Sequence, residues 1–273
     1  MTTKPEGLSV YRQSERFAAG NGDVELLSSD GVVFKVHRAN LASHSAVFPG
    51  QEMATNGELV PLTESSEVLG IILQYVYPSP PCQLDALSFG ILIQVAEAAE
   101  KYQIFAVMEI CRVLLEIRDY QEHPLEVLAY ACRHGHTLMC DRVAPLTLAV
   151  EPREALRVLG PVHFAHWMLY REQWVAIRLS LPTYMDHELE YIKKHWGPCD
   201  QRWEQYQKIC KEAALRGDIL RCLREPDVFL AGVVAIDLTD HGCPGCTEYW
   251  DERRARLRRQ VTQVRAFSAI LPV

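Results

Sequence analysis

No stretch of this sequence is long and apolar enough to span a bilayer. The best candidate, 229–236, meets Asp237 after about two helical turns, well short of a membrane crossing. The first seventeen residues also lack the apolar core of a secretory signal, because Lys4, Glu6, Arg12, Glu15 and Arg16 are spread through them. These absences point to an intracellular chain, cytoplasmic or nuclear, with no membrane partner. Positive charge is short as well. Against 35 acidic residues stand 28 basic ones, a formal charge of -7, so nothing favours nucleic acid as the main partner. A Gly-rich phosphate loop, a Gly-x-Ser-x-Gly elbow and a His-Glu-x-x-His pair are all missing. The chain therefore reads as non-enzymatic, with no catalytic residue and no cofactor.

What is present is ample apolar material, at 48% of 273 residues, enough to close two globular cores without metals or disulfides. The nine cysteines are odd in number and scattered over helical-looking segments, the usage of a reducing compartment. Cys111, Cys132 and Cys210 recur among apolar neighbours at helical spacing and read as small core residues.

Two β-prone runs flank Asp30-Gly31, a dipeptide that accepts the positive φ of a tight turn, so 24–36 is predicted to be a hairpin. Its second strand alternates, with Val32, Phe34 and Val36 on one face and Val33, Lys35 and His37 on the other. Leu59, Val60, Pro61 and Leu62 read as a third strand, and Pro61 places it at an edge or strand end. After Ser65 and Ser66, either able to cap a helix, Leu69, Ile72, Leu73 and Val76 repeat at helical spacing until Pro78, Pro80 and Pro81. The same stripe recurs at Leu92, Val95, Ala96 and Ala99, and at Val107, Ile110, Cys111 and Leu114, with a joint near Gln103.

Beyond Pro124 the pattern is helical: 127–133, 138–148, 155–159, 164–181, 187–195, 201–215 and 249–267. Gly135 sits where a C-cap would turn the first two into an antiparallel pair, and Pro145, Pro152 and Pro161 mark further breaks. The expected fold class is α+β: a small sheet capped by helices, then an all-α region. The expected divisions are an extension over 1–22, a mixed domain over 23–118 and a helical region over 123–273.

Asp23-Val24, the hairpin, Phe34-Lys35-Val36-His37-Arg38 and Leu41-Ala42-Ser43-His44-Ser45-Ala46-Val47-Phe48 together resemble the opening of a BTB/POZ domain. Val60-Pro61-Leu62-Thr63, Leu73-Gln74-Tyr75-Val76-Tyr77 and Ala98-Ala99-Glu100-Lys101-Tyr102, with Cys111 and Leu115, continue the likeness over about a third of the chain. Ser14-Glu15-Arg16-Phe17 and the helical tail are similar to a large group of fungal BTB proteins. The resemblance implies a protein-interaction module with the BTB/POZ fold. Its partner would be a second copy of itself, as a homodimer, or another protein, and the segment before Asp23 could swap or dock. Asp23 and Arg38 match a charged pocket near the dimer interface of family members, and an ordinary intramolecular ion pair is the alternative reading. Ser45 could cap a helix holding Val47 and Phe48. Asp30, Gly31, Phe34, His37, Leu41, Ser45 and Phe48 are read as structural, Asp30 and Gly31 serving the turn. A cullin-dependent ubiquitin-ligase adaptor is one specific version, but Pro49-Gly50-Gln51-Glu52-Met53 departs from the usual adaptor pattern after Phe48. A transcriptional role is weakened by the lack of a DNA-binding motif.

Two other signals compete. Cys243-Pro244-Gly245-Cys246, with His241 before it and Cys199 and Cys210 upstream, could hold a metal or act in redox chemistry, but it offers one ligand pair with recognisable spacing. A simple turn before the last helix is the plainer reading, and no metal is assigned. The arginines 253, 254, 256, 258, 259 and 265 read as the solvated face of an amphipathic helix. Trp167, Trp174, Trp196, Trp203 and Trp250 lie in the helical half as core residues.

Overall fold

The computed structural model describes residues 11–18, 20–45, 47–48, 59–78, 80–195 and 244–271. They divide into two compact units, 1–119 and 120–273.

The first unit is a four-stranded mixed sheet with helices. Its strands are β1 (Arg12–Ala18), β2 (Val24–Leu27), β3 (Val32–Val36) and β4 (Leu59–Pro61), in the order β1-β3-β2-β4. The hairpin pairs Val24 with Val36, Leu26 with Phe34 and Leu27 with Val33. Gly31 turns it at φ 79°, a backbone conformation that side-chain-bearing residues reach only with strain. Ser28 closes the turn: its hydroxyl accepts from the Val32 amide at 2.9 Å and donates to the Val32 carbonyl at 3.1 Å. Just ahead of β2 the chain passes so close to β3 that a Cβ on Gly22 would lie 2.8 Å from Lys35 Cγ and 3.1 Å from the Val36 carbonyl.

β4 runs parallel to β2 at one sheet edge, where the missing amide of Pro61 does no harm. The expected alternation along β3 is not clean, since Val33 is buried along with Val32, Phe34 and Val36. The reason is its place as a central strand, flanked by β1 as well as β2. β1 itself was not expected. It pairs parallel with β3, and five steps along β1, from Gln13 to Ala18, face only two along β3, from Val33 to Lys35. The surplus residues form a bulge, within which the Phe17 amide donates to Ser14 Oγ.

Helices α1 (Arg38–His44), α2 (Ser66–Ile72), α3 (Phe89–Tyr102) and α4 (Phe105–Leu114) complete the unit. Ser65, not Ser66, caps α2 by accepting from the Val68 amide. Gln103, left-handed at φ 53°, turns α3 into α4 as the joint in the apolar period requires. Leu26, Phe34, Leu69, Ile72, Leu73, Val76, Leu92, Val95 and Val107 make the core. Each large side chain among them stabilises the fold by about 1.5–3 kcal/mol relative to exposure.

The second unit is helical over its described residues: α5 (Pro124–His134), α6 (Thr137–Val143), α7 (Pro152–His195) and α8 (Pro244–Thr262). Gly135 ends α5 in the left-handed conformation, φ 71°, as expected of a C-cap. Trp167, Tyr130 and Phe267 are the largest fully buried side chains among its described residues. The Trp167 indole donates to Thr147 Oγ1 at 2.8 Å, and that hydroxyl donates to the Ala144 carbonyl. The C-terminal turns are held by Asp141, whose two carboxylate oxygens accept from the amide and hydroxyl of Ser268, each at 2.7 Å.

Three boundaries differ from expectation. The helix expected over 138–148 stops at Val143 and tightens into a short turn of 3-10 helix over Ala144–Thr147, where Pro145 removes an amide. The segments 164–181 and 187–195 form one helix that continues through Pro182, while the break expected at Pro161 is present, with Gly160 (φ 69°) non-helical just before it. The last helix begins at Pro244 rather than near 249, Pro being suited to a first helical position, and ends at Thr262. The expected helix 201–215 lies outside the described residues, as do Trp196 and Trp203. No helix among the described residues is long and apolar enough to cross a membrane.

Candidate protein-interaction site

The residues singled out from sequence lie mostly at the seams of the first unit, where one element meets the start of another. Asp23 precedes β2, its amide donating to the Val36 carbonyl at 3.1 Å. That pairing sets its carboxylate over the start of α1, and Oδ1 accepts from the backbone amide of Arg38 at 2.7 Å. A seven-residue helix has few internal bonds to spare, and its own N-cap residue, His37, supplies no side-chain cap. A carboxylate from a distant strand therefore takes the capping role, helped by the positive end of the helix. The structure thus brings Asp23 and Arg38 together through the Arg38 backbone. The Arg38 side chain is buried, at 6% exposure, whereas Asp23 is exposed.

His37 is held beside them by Tyr77, whose hydroxyl accepts from the His37 amide at 3.0 Å and lies 3.1 Å from its Nδ1. Tyr77 also packs on Phe17, and Phe17 on Phe34, with ring centroids 5.7 and 5.8 Å apart. Leu41 is buried beneath α1.

A second seam joins the hairpin turn to α2. Asp30 does more than turn the chain: Oδ1 accepts from the Ser66 amide at 2.8 Å and Oδ2 from the Ser66 hydroxyl at 2.6 Å. The Ser66 hydroxyl first, then Ser28 and the Ser66 amide, hold the Asp30 carboxyl down at about 2.

A third seam ties the chain after α1 to the end of α3. Ser45 Oγ accepts from the amides of Val47 and Phe48, each at 3.1 Å, and donates to the Tyr102 carbonyl. Residues 47–48 form a bend, with 49–58 outside the described residues. The Phe48 ring stacks on Tyr102 at 4.8 Å. Glu64 accepts from Lys101 Nζ at 2.7 Å and from the Tyr102 hydroxyl. Burial opposes its ionisation, but Lys101 and Tyr102 outweigh that and hold its carboxyl below the usual range. Tyr102 is pushed up, by burial first and then by its bond to Glu64.

Ser66, Tyr77, Tyr102 and Glu64 were not singled out as partners in these seams. Their sequence separations from the residues they hold, 36 to 57 for the bonds to Asp30, His37 and Ser45, leave no local pattern to read.

Two surfaces stand out among the described residues of the unit. A groove of about 540 Å³ runs between β1 and α2, walled by Arg12 to Phe17 and floored by Ser66, Gly70, Ile71 and Gln74. Arg16 crosses it to donate to Gln74 Oε1 at 2.6 Å. Along α4 and the turn after it, Phe105, Ile110, Val113 and Ile117 are exposed, Ile117 at 69%. Exposed apolar side chains grouped in this way mark surfaces that bury themselves against something.

Of the competing signals, Cys243 and His241 lie outside the described residues, and Cys246 is described only as a backbone position in the first turn of α8. No group of three or more His, Cys, Asp or Glu among the described residues is placed to hold a metal ion.

No curated protein matches the chain. The family model of the BTB/POZ domain matches residues 16–118, a span that starts seven residues before Asp23 and takes in the Phe17 end of β1. Mixed sheet, hairpin seams, covering helices and this match agree: residues 16–118 are a BTB/POZ domain, a module through which proteins bind proteins.

Proposed function

We propose that this chain is a non-catalytic interaction protein, working inside the cell, whose BTB/POZ domain self-associates or holds a second protein while the helical unit serves as an accessory or second binding surface. The observation that carries this reading is the match over residues 16–118. The apolar residues exposed on α4 and the position of β1 at the sheet edge support it. A self-association interface would be isologous and mainly apolar. The segment around β1, at the sheet edge, would dock on the second copy or exchange with it. Asp23 and Arg38 would border that interface.

Light scattering on the purified chain over a concentration series tests this directly. The expected particle mass is twice the 31.0 kDa of one chain. If a single chain is found throughout, and affinity capture from extract yields no second protein, the reading is overturned. The cullin-adaptor version predicts co-purification with a cullin, and failure in a competent binding assay removes it. A metal or redox protein built on Cys243 and Cys246 is the alternative from another class. It predicts bound zinc, or a loss of stability on Cys243→Ser.

A further inference from the structure

We propose that Cys132 and Cys140 form a redox-responsive dithiol, which a hydroperoxide oxidises to a disulfide that staples α5 to α6. Both thiols are free, and their sulfurs lie 3.8 Å apart. The turn at Gly135 and His136 brings the last turn of α5 back alongside the start of α6, and the two cysteines face each other across this hairpin. A disulfide needs about 2.0 Å between sulfurs, so the two must close from the 3.8 Å at which they now stand.

The two positions differ in a way that orders the chemistry. Cys140 is fully buried, whereas Cys132 keeps 8% of its surface in solvent beside the exposed Arg133. Cys132, the less buried of the two, is the thiol a peroxide reaches first, and Cys140, pushed up by its hydrogen bond to Cys132 and then by burial, follows as its partner. The Cys132 thiolate therefore attacks the peroxide. The O–O bond breaks, Cys132 becomes a sulfenic acid, and the departing hydroxide takes up a proton as water. Cys140 sulfur then attacks Cys132 sulfur, the S–O bond breaks, and the hydroxyl leaves as a second water with the Cys140 proton. Two thiols and one hydrogen peroxide give one disulfide and two waters. The link would fix the hairpin that opens the helical unit, and a cellular thiol reductant would release it.

The test uses the whole chain under native conditions, treated with hydrogen peroxide, alkylated and digested with trypsin. Cleavage after Arg118, Arg133 and Arg142 places the two cysteines on separate peptides, 119–133 and 134–142. The expected product is these two peptides joined, lighter than their sum by two hydrogens and separated by reductant. Oxidation should also raise the melting temperature of the wild type but not of Cys140→Ala. Recovery of both peptides singly, still bearing alkylated thiols, at a peroxide dose that oxidises other cysteines would overturn the proposal. So would Cys132 joined to any cysteine other than Cys140. The mapping on unmodified protein decides the matter even if the variant folds poorly.

Discussion

The two units of this chain are held by different means. In the first, polar side chains reach across sequence to cap the start of another element: Asp23 to α1, Asp30 to α2, Ser45 to the bend after α1 and the end of α3. In the second, helices close around Trp167, Tyr130 and Phe267, Thr147 satisfies the buried indole, and Asp141 ties the C-terminal turns much as Asp30 ties α2. The difference teaches that a small sheet with short helices depends on directed bonds for its geometry. A helical unit depends on volume. A BTB/POZ surface built from short elements needs such directed bonds, since a seven-residue helix cannot fix its own orientation.

The contrast can be broken most severely at Trp167. Trp167→Ala should cost about 3–5 kcal/mol, through lost burial and the cavity left behind. Calorimetry should show it in the transition of the helical unit and not in that of residues 16–118. Equal loss in both would erase the distinction. Next comes Thr147→Val, nearly the same shape, which strands the buried Trp167 indole at a cost of about 1–3 kcal/mol. Denaturant titration reads it, and a neutral result would mean that volume alone holds this unit.

In the first unit, Asp23→Ala removes the cap of α1 and should cost about 0.5–2 kcal/mol. Asp23→Asn, which keeps an acceptor, should recover most of that. If Asn is as damaging as Ala, the charge matters more than the cap, and the ion-pair reading of Asp23 with Arg38 gains.

The smallest effect is one of acidity. The Asp30 carboxyl sits at about 2 in the folded chain, against an ordinary 3.8. Its stabilisation is therefore complete above the unfolded value and lost as pH falls through the folded one. NMR titration should find this carboxyl moving up towards 3.8 on Ser66→Ala. No movement would mean that the seam between the turn and α2 is not formed in solution.

The same contrast explains what the sequence made legible. The hairpin, the stripes of α2 and α3, and the cap at Gly135 are local patterns, carried by alternation, by helical spacing or by one glycine, whereas the stripe expected on α4 holds only at Val107 and Cys111, Ile110 being exposed. β1 was not legible, because only Phe17 of its seven residues is buried, it pairs with a strand fourteen or more residues on, and a bulge breaks its register. An edge strand with that exposure carries no apolar period. The partners of Asp30, His37 and Ser45 were equally hidden, since each lies across the fold. Asp23 and Arg38 were expected as neighbours. That the bond runs to the Arg38 backbone amide follows from how β2 and α1 pack, which no local pattern records. In the helical unit a gap is expected between 181 and 187, but the helix continues through Pro182.

The central claim is that residues 16–118 carry the binding surface. Amide hydrogen exchange on the full chain, compared between its assembled and dissociated states, tests this most directly. The account predicts that protection gained on assembly falls within 16–118. Protection gained only within 120–273, or nowhere, would contradict it.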